Sequence, residues 1–371
     1  MKMAEEDEET LEASDEFEIE GETGDTIKKK RWFRRNWKYL LGIIVTIGLL
    51  TYLIISSNPK EIGLTLVHSN CLLLMAAFGC TIVLFFIKTL RWQALLKHQG
   101  HKVNFMQTFN LVLIGTFGSA VTPAKAGDIL RAFYLSKKNP EIKVGTSVFS
   151  VVFDRILDLA GIFLIIAFSP FVLLKTNEVI KWQIPVGIVA GFIVFVIIVV
   201  LVFNKKITKP ILNFILRYLS KMFKKKETKE KIDITTTEII DDFYQSQKKY
   251  NIWNYLWFGF LSLLFWIILG FQGCVLLLAF GVANIDIYVV ITTLCVAAIV
   301  AMTIPTSIAG YGIRDFVVIT ILGALMLTSK DKAISLSLIQ TFMNVLLPGI
   351  IGALLLFVKP RRPKIDSATP S

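Results

Sequence analysis

Three groups of charged residues sit in stretches that are otherwise apolar, and their types point to anion chemistry. They are Lys125, Asp128 and Arg131; Asp154, Arg155 and Asp158; and Arg314 with Asp315. The arginine fork matches two phosphate oxygens at once, whereas lysine supplies a point charge. The carboxylates would balance charge or hold a cationic group. Two of the groups adjoin a proline-glycine interruption. Pro123 and Gly127 precede Arg131, and Pro305, Gly310 and Gly312 precede Arg314. In each case the arginine lies four residues beyond a glycine. Proline and glycine open a helix, and the freed backbone groups then need a polar or hydrated surrounding. A helix that restarts after each break also points N–H groups at a nearby anion.

Asp154 and Asp158 are spaced i, i+4 and share a helix face, and Arg155 can pair with Asp158 at i, i+3. Each such charge costs about 2.5–3.5 kcal/mol at the centre of a bilayer on insertion scales. The apolar residues of the surrounding stretch, 148–174, roughly offset that cost. The span is near balance unless its charges pair or meet water. Two readings follow: an ion pair that locks helix packing, or a polar wall of a substrate cavity.

The elements that must position these groups are membrane helices. The chain has 371 residues, 54% of them hydrophobic, and a mean hydropathy of +0.63. That excludes an ordinary soluble domain and indicates an all-α polytopic membrane protein. Spans of about 20 apolar residues are expected at Tyr39–Ser57, Cys71–Leu90, Val148–Leu174, Ile184–Phe203, Trp253–Phe280 and Ala333–Val358. Two broken elements, Phe105–Thr122 with the segment after Pro123 and Ile287–Ile304 with Ile313–Leu327, bring the expectation to about six to eight transmembrane helices. The basic residues after Pro123 argue against a full crossing there. A re-entrant hairpin resolves the conflict, and a second one from the other face would make an inverted repeat with a site between the halves.

Net charge is +12, but residues 1–27 alone hold twelve acids and one lysine. The remainder carries 39 basic and 16 acidic residues, most of the basic ones flanking apolar runs. The positive-inside rule then places both termini in the cytoplasm of a multi-pass cell-membrane protein. Residues 1–27 read as an acidic disordered tail and 28–203 as the first membrane half. Residues 204–252 form a basic cytoplasmic loop, 253–358 the second half and 359–371 a basic tail. Within the loop, Ile211, Leu212, Ile215, Leu219 and Met222 recur at helical spacing opposite lysines, as in an interfacial amphipathic helix.

No nucleic-acid module is present. Cys71, Cys80, Cys274 and Cys295 form no CxxC pair, and His98 and His101 lie in a basic loop without a carboxylate, so neither a metal site nor a catalytic one is expected. Lys88 reads as a snorkelling residue at the end of the second span, and Arg91 as part of its cytoplasmic flank. Asp154 and Asp315 do not make an aspartyl-protease pair, since Ile313 and Arg314 intervene between Gly312 and Asp315 where the protease motif has the acid directly after its glycine.

These elements resemble the family that contains the transmembrane flippase domain of bacterial lysylphosphatidylglycerol synthase, which also includes uncharacterised archaeal and bacterial membrane proteins. The resemblance rests on Pro123, Gly127, Asp128 and Arg131, on Asp154, Arg155 and Asp158, and on Pro305, Gly310, Gly312 and Asp315, and it covers residues 38–358. Aspartate stands at 128 and 154 where the family pattern has glutamate, and Arg314 intrudes before the last acid. The soluble aminoacyl-transfer domain that accompanies this region in the synthase is not expected here. What the resemblance implies is a flippase-like protein, not an enzyme, that moves a polar or anionic lipid, a phospholipid or a polyprenyl-linked one. The alternative is a membrane component of a lipid-linked glycosyl-transfer pathway. Without a Gly-x-x-x-x-Gly-Lys-Ser/Thr motif the chain is not expected to hydrolyse ATP. No cofactor is expected. Membrane lipids are the expected partners, and a homo-oligomer is left open.

Overall fold

The computed structural model describes residues 59–122, 126–167, 250–303, 312–324 and 328–357, with isolated positions between 189 and 246. The acidic tail, the span at 39–57, nearly all of the span at 184–203, the loop helix and the basic C-terminal tail lie outside the described residues. So do Pro123, Lys125, Pro305 and Gly310.

All regular elements among the described residues are helical. They are α1 (Pro59–Val67), α2 (Cys71–His98), α3 (Phe105–Val121), a 3₁₀ turn (Ala126–Ile129), α4 (Leu130–Lys138), α5 (Val144–Ala167), α6 (Ile252–Ala279), α7 (Ile287–Thr303), α8 (Ile313–Ala324), α9 (Lys330–Thr341), a π turn (Phe342–Leu346) and α10 (Leu347–Phe357). Three stretches among them are long and apolar enough to cross a bilayer: Cys71–His98, Trp253–Ala279 and Lys330–Leu356. Helix α5 has 24 residues but carries its three charges mid-length.

Helix starts follow local chemistry. Asn70, Asn104 and Asn251 each accept a backbone N–H of the helix they precede, at 3.0 Å in every case. Asp286 does the same for α7, accepting from the Tyr288 N–H at 3.0 Å. A side-chain oxygen at this position satisfies a donor that the helix leaves unpaired.

Antiparallel α2 and α6 form the spine. At one end the Asn70 N–H donates to the Ala279 carbonyl (3.0 Å). At the other, the Tyr250 hydroxyl donates to the Leu95 carbonyl (2.8 Å). Each end has its own apolar core. Trp92, Leu95 and Leu96 of α2 pack with Leu111 of α3, Leu135 of α4 and Phe149 of α5. Around Ala77 at the opposite end, Leu276 of α6 packs with Val290 of α7, Val318 of α8 and Ile334 of α9. A third cluster joins Ile162 of α5, Trp266 of α6 and Cys295 of α7 between them. Helix α3 with its following turn and α4 therefore belongs to one end of the spine, and the α7–α8 pair to the other.

The first broken element doubles back tightly. A Cβ on Gly127 would collide with the backbone of Gly118, and one on Gly118 with the carbonyl of Gly127. Only glycine at both positions lets the turn lie against α3 backbone to backbone. The Thr122 hydroxyl, itself donating to the Gly118 carbonyl (2.8 Å), accepts the Gly127 N–H at 2.7 Å and pins the reversal.

Gly127→Ala is expected to lower stability by at least ~1–3 kcal/mol, since neither backbone can retreat. Gly259→Ala, a site with open space around it, is the matched control. Thermal unfolding of the purified protein checks the difference.

Candidate functional site

Helix α5 presents Asp154, Arg155 and Asp158 to the 3₁₀ turn, α4 and α2. The outcome is a closed ring of alternating charge. Arg91 of α2 reaches Asp154 at 2.7 Å and Asp158 at 2.6 Å. Arg131 of α4 contacts the other Asp154 oxygen at 2.6 Å and Asp128 at 3.2 Å. Arg155 pairs with Asp128 and, at 3.4 Å, with Asp158. Three arginines and three aspartates from four elements thus close one circuit. Each partner neutralises the next, which is what permits ionised groups to stay buried.

The ring is not uniform. Arg131 and Asp154 are fully buried, and Arg131 also lies over the Trp92 ring at 4.7 Å, within cation–π range. The Arg155 side chain is 27% exposed. Arg155 and Asp158 line a cavity of about 150 Å³, and Arg131 does not.

The same cavity receives Arg314 from α8 and Lys88 from α2. Gly312, at φ 78° in the left-handed region that favours glycine, starts α8. Its N–H donates to Asp315 at 3.1 Å, so this carboxylate caps the helix from its third position. Asp315 also accepts the Ser337 hydroxyl (2.5 Å) and pairs with Arg314 (3.0 Å). Arg314 donates in addition to the Ser337 carbonyl (3.2 Å) and to the Thr341 hydroxyl. Asp315 is buried in this capping role, while the Arg314 side chain keeps 19% exposure.

The cavity wall is divided. Thr116 and Ser119 of α3, Gln340 and Asn344 join the charges on the polar part. Phe265, Trp266 and Leu269 of α6 with Leu294 and Ala298 of α7 make the rest apolar. The π turn brings Asn344 to this wall, where its amide donates to Gln272 (2.7 Å) and its oxygen accepts from Thr81 (3.1 Å). Insertions of this kind often mark functional positions. The arrangement can hold a small anionic or polar group against charge while an attached apolar chain lies on the other wall.

The structure therefore gathers Arg155, Asp158 and Arg314 at one cavity. It assigns Arg131, Asp128 and Asp154 to the buried ring beside it, and Asp315 to helix capping. Asp154 and Asp315 sit in separate networks, each facing arginine. Two residues depart from the sequence reading. Arg91 is buried and central to the ring, because α2 continues past Leu90 to His98. Lys88 lines the cavity instead of reaching an interface. Asn344 was not singled out by sequence; the only signal for it is a polar residue among apolar neighbours in the last span.

A family model described as the lysylphosphatidylglycerol synthase TM region matches residues 39–355, and the chain belongs to that family. A UPF0104 membrane protein of Methanocaldococcus jannaschii is 28% identical over 342 residues, covering 87% of this chain and 92% of its own length. A UPF0104 membrane protein of Archaeoglobus fulgidus is 30% identical over 121 residues, 32% of this chain and 36% of its own length.

Arg91→Met leaves Asp158 with only the longer Arg155 contact and is expected to cost ~3–5 kcal/mol. Lys143→Met, which removes an exposed pair with Asp242, should cost no more than ~1 kcal/mol. Denaturation midpoints of the two variants decide it.

Proposed function

We propose that this member of the lysylphosphatidylglycerol synthase transmembrane family moves a polar or anionic lipid across the bilayer. The headgroup passes through the cavity while the chains stay in the apolar surround. One observation carries the reading: one cavity is lined by Arg155 and Asp158 of the first half, by Arg314 of the second, and by aromatic and aliphatic side chains of α6 and α7. Arginines that are partly exposed yet anchored to carboxylates can take up a phosphate without first being desolvated from bulk water. The protein does this without ATP, since the chain carries no phosphate-binding loop, and without chemistry on the lipid.

The two broken elements act as re-entrant hairpins from opposite faces. Their packing at opposite ends of the α2–α6 spine supports this, as does the approach of α3 and α7 to the one cavity through Ser119 and Ala301. Both termini lie in the cytoplasm, in keeping with the basic flanks at 28–38 and 359–364. The last turn of α3 and the end of α7 then face each other mid-membrane, where a small movement of either hairpin would expose the cavity to one side or the other.

Reconstitution into liposomes with headgroup-labelled phospholipids tests the reading. Arg155→Ala and Arg314→Ala are each expected to slow translocation about tenfold or more, the equivalent of losing one charge-assisted contact. Arg131→Ala should lose stability together with rate. Equal rates in native protein, Arg155→Ala and Arg314→Ala would remove the proposed role.

A further inference from the structure

The charge around the cavity does not balance. The ring contributes three arginines and three aspartates and is neutral. Arg314 and Asp315 are neutral as a pair. Lys88 is left over. It lines the cavity with Arg155, Asp158 and Arg314, and among the described residues no carboxylate lies within ion-pair distance of it. The two arginines at the cavity are already tied to aspartates, whereas the lysine ammonium is not. An unpaired cation in a partly apolar pocket is costly, and a ligand with one negative charge would relieve that cost.

We propose that Lys88 selects the headgroup: the cavity takes a phosphodiester with an uncharged polar substituent, net charge −1, in preference to zwitterionic or cationic headgroups. This rests on reading the cavity as the headgroup site. A zwitterionic lipid offers the same phosphate but brings an ammonium into a wall with three cations and one carboxylate. An aminoacylated lipid of the kind in the family's description carries still more positive charge and is disfavoured further. Thr116, Ser119, Gln340 and Asn344 supply neutral donors and acceptors for hydroxyl substituents. A volume of about 150 Å³ suits a headgroup.

The test is lipid retention by the full-length protein, read by native mass spectrometry with phosphatidylglycerol, phosphatidylcholine and lysylphosphatidylglycerol. The native protein is expected to retain phosphatidylglycerol on the order of tenfold better than phosphatidylcholine, with lysylphosphatidylglycerol weakest. Lys88→Arg should keep this order and Lys88→Gln should flatten it. Lys88→Glu should invert it in favour of lysylphosphatidylglycerol. No preference in the native protein, or the same order in all four proteins, would overturn the inference. If a variant fails to fold, the native order and the remaining variants decide. Translocation that continues with an order insensitive to residue 88 overturns this inference and leaves transport standing. Retention that depends on residue 88 without translocation does the reverse.

Discussion

A closed ring of buried ion pairs sets the geometry of this protein. Arg91, Asp154, Arg131, Asp128, Arg155 and Asp158 alternate in sign around one circuit. Removing a sealed member such as Arg131 or Asp154 would strand part of its neighbours' charge in surroundings that cannot solvate it. The ring ties α2, the 3₁₀ turn, α4 and α5 to each other. It also explains why α3 must be small-faced here. A Cβ on Gly115 would meet the Asp128 carboxylate at 2.6 Å, so glycine at 115 makes room for the ring just as Gly118 makes room for the turn.

The ring has an inner side and a cavity side, and this divides labour among residues of one type. Arg131 and Asp154 are sealed in and orient their neighbours. Arg155 and Asp158 belong to the same circuit but border the cavity, so the ring fixes the positions they hold there. Arg314 is held comparably on α8, by Asp315, Ser337 and Thr341. A site whose charges are held by second partners loses little side-chain entropy on binding. Lys88, with four carbons of flexible stem and no such partner among the described residues, is the exception.

Much of this was legible in the sequence. Hydropathy located α6 and the last span within a few residues. The proline-glycine breaks marked where α3 and α7 end, and the i, i+4 aspartates were placed on one face. The family membership expected from the three motifs holds. Arg91 and Lys88 were misread for a shared reason. A basic residue after about 20 apolar ones looks like a span end, but α2 runs on for a further two turns and buries the arginine against α5. Nor could spacing say which arginine meets the cavity. Arg131 and Arg155 both look like phosphate ligands in one dimension. Rotation about their helix axes sends one against Trp92 and the other to the cavity wall. The position of Asn344 depends on a π turn that no local propensity announces.

The ring itself is tested most directly by a double-mutant cycle on stability with Arg131→Met and Asp154→Asn. The account predicts strong coupling. Each single change strands part of the circuit, and the double change should cost less than the sum by ~0.5–3 kcal/mol, the range for residues in direct contact. Additive losses within about 0.3 kcal/mol would mean that the two residues act independently, and the closed ring would be contradicted.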